Sequence, residues 1–169
     1  MDKQYKFEVA FSFLERDEAL AYQINDLISD RLSTFIYSQH QFDLAAKDGQ
    51  TSFRRVFAIE SRMVVVLYRP DWGNTNWTRV EEEAIEDRRL KESSDFIVLI
   101  NVERGKPEWY SSSHIRLDLE RHSIEQLAAV IEDRVASRGG NVRTESADDM
   151  LARQKREVGG PARERRRPR

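Results

Sequence analysis

Glu81 lies four residues after Trp77 in the segment WTRVE, and this pair is the best candidate for chemistry in the chain. Residues four apart share one face of a helix, so a helix here would place the indole beside the carboxylate. One carboxylate is enough when the leaving group departs without protonation, as a pyridinium does on becoming neutral nicotinamide. The carboxylate then stabilises a cationic, oxocarbenium-like sugar, and the indole offers a flat wall for a base or ribose.

Both residues also have a purely structural interpretation. Glutamates in the first turn of a helix are favoured by the helix dipole in any protein, and a tryptophan often anchors a core. Glu82 and Glu83 follow directly, so the register of the carboxylate is open by a residue or two, although Glu81 shares the face of Trp77. The pattern alone leaves a catalytic and a structural role open for Glu81.

Several standard sites are absent from the sequence. No G-x-G-x-x-G or G-x-x-x-x-G-K-[ST] segment follows a predicted strand. His40, His114 and His122 lack the spacing of a metal site, and there is no elbow sequence for a Ser-His-Asp triad. A phosphate-accepting receiver would need an Asp where the third strand ends in Tyr68-Arg69. The sequence therefore predicts no metal site and no bound cofactor.

The candidate pair follows a strand-to-helix corner. The unbroken apolar run 63–67 precedes it, and a second such run covers 96–100; both are typical of strands covered on two faces. The helix is predicted to begin near Trp77, with Thr75 or Asn76 as its N-cap. Ligands of an open parallel sheet bind beyond the carboxyl ends of its strands, so this corner is where a site is expected.

Hydrophobic periodicity predicts the remaining elements. Residues 7–13 and 34–37 form the first two strands, and residues 115–119 alternate as an edge strand. Each of the four predicted helices has an apolar face that is expected to contact the core. In chain order these faces are Leu20, Ile24, Leu27 and Ile28; Phe53, Val56 and Phe57; Val80, Ala84 and Ile85; and Ile124, Leu127, Ala128, Ile131 and Val135. The fourth helix is predicted to begin at a capping box formed by Ser123 and Gln126.

Five strands alternating with helices predict an α/β, flavodoxin-like three-layer sandwich: a five-stranded parallel sheet of order 2-1-3-4-5, flanked by helices. Its switch point lies between strands 1 and 3, so the end of strand 1 and the corner carrying Trp77 and Glu81 should meet at one crevice. A long loop, residues 38–50, follows strand 2, and loops of this length are often functional.

Composition sets the domain boundaries and the compartment. The 169-residue chain has no cysteine and no apolar run long enough for a membrane span, which predicts one domain over residues 1–140 in the cytoplasm. Residues 151–169 carry eight Lys/Arg against two Glu, whereas the rest of the chain sums to −8. Residues 141–169 are thus predicted to be a polar, basic tail, partly helical or disordered. Nucleic-acid binding is not expected except through this tail.

The ordered segments FEVAFSF, GQTSF, VVVLYRPDW and WTRVE resemble a Toll/interleukin-1 receptor (TIR) domain, particularly its bacterial members. The resemblance covers about residues 5–138. Many members cleave NAD⁺ at the bond between nicotinamide and ribose, using a Glu four residues after a Trp. The resemblance therefore implies that Glu81 is catalytic and that Trp77 binds the substrate.

The resemblance also implies further substrate-binding residues. Ser12, Phe13 and Leu14 match the substrate-lining end of strand 1. The loop that carries Phe42 and ends at Gly49 matches the family's loop that closes on the site and mediates assembly.

The chain departs from the family at three places. Thr78 stands where the family often has Cys, and the corner after strand 1 has no basic residue before Arg16. Tyr37-Ser38 replaces the Asp that is common after strand 2.

The first functional expectation is a TIR-domain NAD⁺ glycohydrolase or cyclase, with NAD⁺ as substrate rather than cofactor. It would act in bacterial immune or stress signalling, including antiviral defence, through NAD⁺ depletion or a cyclic ADP-ribose-type signal. Its expected partners are other TIR domains, as a homo-oligomer or filament on activation, and a separately encoded sensor or effector. No membrane contact is expected.

Two alternatives remain. One is a non-catalytic TIR–TIR interaction or adaptor module in signal transduction. The other is an enzyme similar to a nucleoside deoxyribosyltransferase, which shares the topology and a lone Glu.

Overall fold

A computed structural model describes residues 4–37, 49–111 and 116–140, and the side chains of all these except residues 49 and 50. The elements follow one another as β1 (Phe7–Ser12), α1 (Glu18–Ile28), β2 (Thr34–Phe35), α2 (Gly49–Arg55), β3 (Ser61–Tyr68), α3 (Asn76–Glu92), β4 (Ile97–Asn101), β5 (Arg116–Asp118) and α4 (Ile124–Ser137). A 3₁₀ turn (Glu15–Asp17) precedes α1, and a π-helical turn (Val56–Glu60) joins α2 to β3.

The five strands form one parallel sheet in the order β2-β1-β3-β4-β5. This confirms the predicted α/β, flavodoxin-like topology. At the carboxyl edge, Ser12 of β1 lies opposite Val66 of β3. The chain leaves β1 and β3 towards opposite ends of the sheet order, so their carboxyl ends border the switch point where such sheets bind ligands.

Each face of the sheet carries its own hydrophobic core. Val9, Phe11 and Met63 belong to the cluster that includes residues of α1 and α4, whereas Ala10 and Val64 belong to the cluster that includes residues of α2 and α3. Because both faces are covered, the segments of β3 and β4 carry unbroken apolar runs, at 63–67 and 96–100, as their sequences predict. Alternation along β1 places Ser12 on the same face as Ala10, under α2 and α3.

The inward face of α3 differs from the predicted one. Ala84 and Ile85 are buried as predicted, but Val80 is only partly buried and joins neither core cluster. The helix instead buries two ionisable side chains, Glu81 and Arg88. Their spacing of seven residues, two helical turns, puts both on the face that meets the sheet.

Arg88 joins α3 to the start of β3. Its Nη1 donates to the carbonyl oxygens of Phe57 at 3.1 Å and Ser61 at 2.7 Å, and its Nε pairs with Glu92. The guanidinium also lies 4.1 Å from the ring centroid of Phe96.

We expect Arg88→Met to lower the free energy of unfolding by about 2 to 3 kcal/mol, because it removes the donor from buried carbonyl groups while keeping the apolar stem. Urea denaturation measures the change. Glu92→Gln is the matched control: it neutralises the partly exposed carboxylate that pairs with Arg88, leaves the carbonyl contacts of Arg88 in place, and should cost about 1 kcal/mol or less. Equal losses in the two variants would contradict the role given to the carbonyl contacts.

Several predicted features lie outside the described residues. These are Phe42 and residues 38–48 of the predicted loop, Ile115 of the edge strand, and the basic tail from residue 141. Within the part of the chain that is described, no helix combines the length and apolar character needed to cross a membrane.

Candidate functional site

The start of α3 is fixed by a reciprocal cap. Thr75 Oγ1 accepts a hydrogen bond from the backbone N–H of Thr78 at 3.2 Å, and Thr78 Oγ1 accepts one from the N–H of Thr75 at 3.2 Å. The backbone N–H of Gly73 also donates to Thr78 Oγ1, at 3.1 Å. The cap confirms the predicted helix start, and it sets the rotation of the helix so that Glu81 faces the sheet one turn further on.

We expect Thr75→Ala to lower the free energy of unfolding by about 1 kcal/mol, the usual effect of removing an N-cap side chain. Thr75→Ser keeps the capping oxygen and should stay close to wild type. Chemical denaturation of the three proteins measures both effects. A Ser variant as unstable as the Ala variant would show that the methyl group, rather than the cap, is responsible.

Glu81 is fully buried and is hydrogen-bonded through both carboxyl oxygens. Its Oε2 accepts from the hydroxyl of Ser12 at the end of β1, and its Oε1 accepts from the hydroxyl of Tyr37, two residues beyond β2. Trp72, in the loop after β3, donates its indole N–H to Ser12 Oγ at 2.9 Å. The ends of β1 and β2 therefore meet the Glu81 carboxyl of α3 directly through Ser12 and Tyr37, and the loop after β3 reaches it through the contact of Trp72 with Ser12.

Aromatic rings adjoin this carboxyl group. The ring of Tyr37 packs edge-on against Phe53 of α2, with centroids 4.3 Å apart, and Phe53 packs against Trp77 of α3 at 5.4 Å. We call Tyr37, Phe53 and Trp77 the aromatic cluster. On its other side, Tyr37 stacks on Phe13 with centroids 5.9 Å apart. The cluster joins α2, α3 and the chain after β2 beside Glu81.

Burial controls the charge of Glu81. It raises the pKa of the carboxyl to about 8, although the hydrogen bonds from Ser12 and Tyr37 act in the opposite direction by favouring the anion. Burial and the neighbouring carboxylate also raise the pKa of Tyr37, so its hydroxyl remains a proton donor. At neutral pH the resting site thus holds mostly the neutral acid.

The other two glutamates of the run point elsewhere. The Glu82 carboxyl lies beside Gly73, and its pKa is raised by burial and by Glu86 and Glu83. The exposed Glu83 pairs with Arg54 at 3.5 Å. Of the three consecutive carboxylates, Glu81 is the one that contacts Ser12.

Ion pairs border the site. Asp71, next to Trp72, binds Arg16 with two hydrogen bonds of 2.6 and 2.8 Å. Arg69, the residue after β3, forms a bidentate pair with the buried Asp17, and each of its two hydrogen bonds is 2.7 Å long. These pairs join the 3₁₀ turn that follows β1, the strand that ends at Ser12, to the chain after β3 that carries Trp72.

The structure brings together only some of the residues assigned to the site from sequence. Ser12 and Glu81 are in contact, and Trp77 lies in the adjoining aromatic cluster. Phe13 and Leu14 are buried in opposite cores. The two residues of the predicted loop are placed differently: Gly49 is the first residue of α2, and Phe42 lies outside the described residues.

Sequence reasoning assigned no role to Tyr37 or Trp72. Both belonged to segments that were noted for other reasons: Tyr37 replaces the expected Asp after strand 2, and Trp72 ends the segment VVVLYRPDW. Their partners lie 44 and 60 residues away in the chain, so no local spacing could reveal the contacts.

The sequence matches no protein-family model and no curated protein at a significant level. Among residues 4–37, 49–111 and 116–140, no three His, Cys, Asp or Glu side chains are grouped so that they could hold a metal ion.

Proposed function

We propose that this chain is a TIR-type NAD⁺ glycohydrolase or cyclase, with Glu81 as its catalytic residue. The observation that supports the proposal is the position of the Glu81 carboxyl. It lies at the switch point of a flavodoxin-like sheet, beside aromatic rings, with hydroxyl donors on both oxygens.

The proposed reaction breaks the bond between the anomeric carbon and the nicotinamide nitrogen. The bonding electrons move onto the pyridinium, which leaves as neutral nicotinamide, so no general acid is required. The positive charge that develops on the ribose is stabilised by the Glu81 carboxylate. Water then attacks the anomeric carbon to give ADP-ribose and a proton, or a nucleophilic atom of the substrate attacks to give a cyclic isomer.

A neutral resting carboxyl is compatible with this role. The substrate carries a positive charge on its pyridinium ring, and an opposite charge close to a carboxyl favours the anion. Binding of the substrate would therefore lower the pKa of Glu81 from about 8 and leave the carboxylate in place as the bond breaks. The charge needed for catalysis would arise with the substrate.

Access to Glu81 requires movement of its neighbours. None of its surface is exposed, and Tyr37 occupies Oε1. A substrate would reach the carboxyl after Phe53 and Trp77 shift while Tyr37 stays hydrogen-bonded to Oε1, and the ring faces of Phe53 and Trp77 would then be available to a ribose or a base.

The proposal extends to assembly and signalling. On the resemblance to bacterial TIR domains, the chain would self-assemble on activation, in response to a separately encoded sensor. Its product or the loss of NAD⁺ would then act in bacterial immune or stress signalling.

The burial of Glu81 favours a second candidate, the non-catalytic TIR–TIR interaction module. A carboxyl that is neutral at rest and hydrogen-bonded on both oxygens is also a stable part of a protein interior. In that case Glu81 would stabilise the fold, and the surface of the domain would carry the function.

The two candidates are separated by measuring nicotinamide release from NAD⁺ by the purified chain at high protein concentration or with a crowding agent. Chromatography of the products distinguishes ADP-ribose from a cyclic isomer. Glu83→Gln, which changes an exposed neighbouring carboxylate, is the matched control for Glu81→Gln. Release by wild type and Glu83→Gln, but not by Glu81→Gln, supports the enzyme. No release by the wild-type chain under these conditions favours the interaction module.

A further inference from the structure

The hydrogen bonds around Glu81 have a defined direction. The indole N–H of Trp72 can only donate, so Ser12 Oγ is the acceptor of that bond. The proton of the Ser12 hydroxyl is then left for its other partner, Oε2 of Glu81. The Tyr37 hydroxyl lies at the second oxygen, Oε1. Two hydroxyl protons can therefore point at the two oxygens of one carboxylate.

Contacts outside this network hold the donors in place. Trp72 is packed between Tyr68 and Trp109, with ring centroids 6.3 and 6.4 Å away. Tyr37 is held by Phe13 and Phe53, as described above. Donors that are fixed by packing are already in position when the carboxyl loses its proton, and they cost little reorganisation.

No cation compensates the charge of Glu81 among the described residues, and the only titratable side chain there that touches it is Tyr37. The charged groups of the surrounding elements are engaged elsewhere: Glu82 beside Gly73, Glu83 with Arg54, Arg16 with Asp71, and Arg69 with Asp17. In the absence of an ion pair, hydrogen-bond donors are what remains to stabilise the anion against burial.

We propose that Tyr37 and Trp72 are positioning residues for Glu81. Tyr37 points its own hydroxyl proton at the carboxylate, and Trp72 orients the hydroxyl proton of Ser12 towards it. Both residues thereby raise the fraction of Glu81 that is anionic. The catalytic meaning of this inference rests on the proposed function, because only an anionic Glu81 stabilises an oxocarbenium-like sugar. The effect of these residues on the protonation of Glu81 can be tested without any catalysis.

The first readout is the titration of Glu81 followed by infrared spectroscopy. The carbonyl band of the protonated carboxyl is assigned by subtracting the spectrum of Glu81→Gln, and its loss is followed from acidic to alkaline pH. Tyr37→Phe keeps the ring and its packing but removes the donor, so the midpoint should move upward by about one pH unit, which lowers the anionic fraction about tenfold. Trp72→Phe should cause a smaller upward shift, because it acts through Ser12.

Two further variants complete this readout. Ser12→Ala removes the donor to Oε2 without a change at any ring, and it should shift the midpoint upward about as far as Tyr37→Phe. It also tests the network if a change at an aromatic residue impairs folding. Tyr110→Phe removes a buried hydroxyl from a tyrosine that packs on Trp109, and it should leave the midpoint unchanged. A midpoint for Tyr37→Phe that stays in place or falls would overturn the inference.

The second readout is the pH profile of nicotinamide release. In Tyr37→Phe, Trp72→Phe and Ser12→Ala the acid limb of kcat/KM, which reports the free enzyme, should move upward in parallel with the infrared midpoint, which a loss of stability alone would not produce. If wild type releases nicotinamide and the midpoint moves but the acid limb does not, the positioning role in catalysis is wrong. If the midpoints move as expected but no protein releases nicotinamide, the electrostatic inference stands and the proposed enzymatic function fails.

Discussion

Glu81→Gln is expected to reduce nicotinamide release from NAD⁺ by about a hundredfold to a thousandfold, the size of effect seen when a preorganised electrostatic group is lost from an active site. An amide is neutral at every pH, so it cannot stabilise a cationic ribose. The fold should survive, because Gln has the shape of Glu, and the hydroxyls of Ser12 and Tyr37 can each donate or accept a hydrogen bond.

The neighbouring glutamates supply the controls for this prediction. Glu82→Gln and Glu83→Gln change carboxylates one and two residues further along α3, neither of which contacts Ser12. Both variants should keep near wild-type release in steady-state assays that separate kcat from KM. A loss that follows Glu82 or Glu83, with Glu81→Gln still active, would show that the carboxylate was assigned in the wrong register.

The sheet could be predicted from sequence because its signals are local. Strands covered on both faces need apolar residues at every position, and the runs 63–67 and 96–100 have them. The alternation of these strands with amphipathic segments then restricts the topology to a few candidates, and the order 2-1-3-4-5 was the one confirmed. Caps are equally local, which is why the capping box at Ser123 was predicted and the N-cap of α3 was predicted as one of two residues, Thr75 and Asn76, of which the structure has Thr75.

The inward face of α3 could not be predicted in the same way. Hydrophobic ranking places Val80 inside and Glu81 outside, yet the structure does the reverse for Glu81 and leaves Val80 at the margin. A carboxyl can be buried here only because Ser12 and Tyr37 supply hydrogen bonds from two other strand ends. Such partners are recognisable only after the fold brings them together. The resemblance to TIR domains singled out Glu81, but periodicity did not.

The hydrogen-bonding roles of Tyr37 and Trp72 could not be predicted from sequence either. Each was visible as an aromatic residue just beyond a strand, a position that serves core packing equally well. Their polar atoms acquire a role only through Glu81 and Ser12. The position of a site at the carboxyl edge follows from topology, whereas the identity of its supporting donors depends on the angles at which separate loops leave the sheet.

Stability should fall as pH rises towards the pKa of Glu81, and this fall is the second large effect. The folded protein holds the Glu81 proton up to a pKa of about 8, whereas the unfolded chain releases it near the ordinary value of 4.5. Between these values the folded state binds more protons, so the free energy of unfolding decreases with increasing pH. The contribution of Glu81 to stability is complete below about pH 4.5, declines by about 1.4 kcal/mol per pH unit, and is lost once pH exceeds the folded pKa.

Glu81→Gln isolates this contribution, because every other titrating group is shared with wild type. Urea denaturation of both proteins at a series of pH values should give curves that diverge with increasing pH, with the Gln variant becoming the more stable protein in mildly alkaline solution. Parallel curves would mean that water or a cation reaches the carboxyl in the folded state, contrary to its burial. Divergence would instead show that the fold resists the anion that the proposed chemistry needs. Substrate charge and the donors Ser12 and Tyr37 would then have to supply its stabilisation.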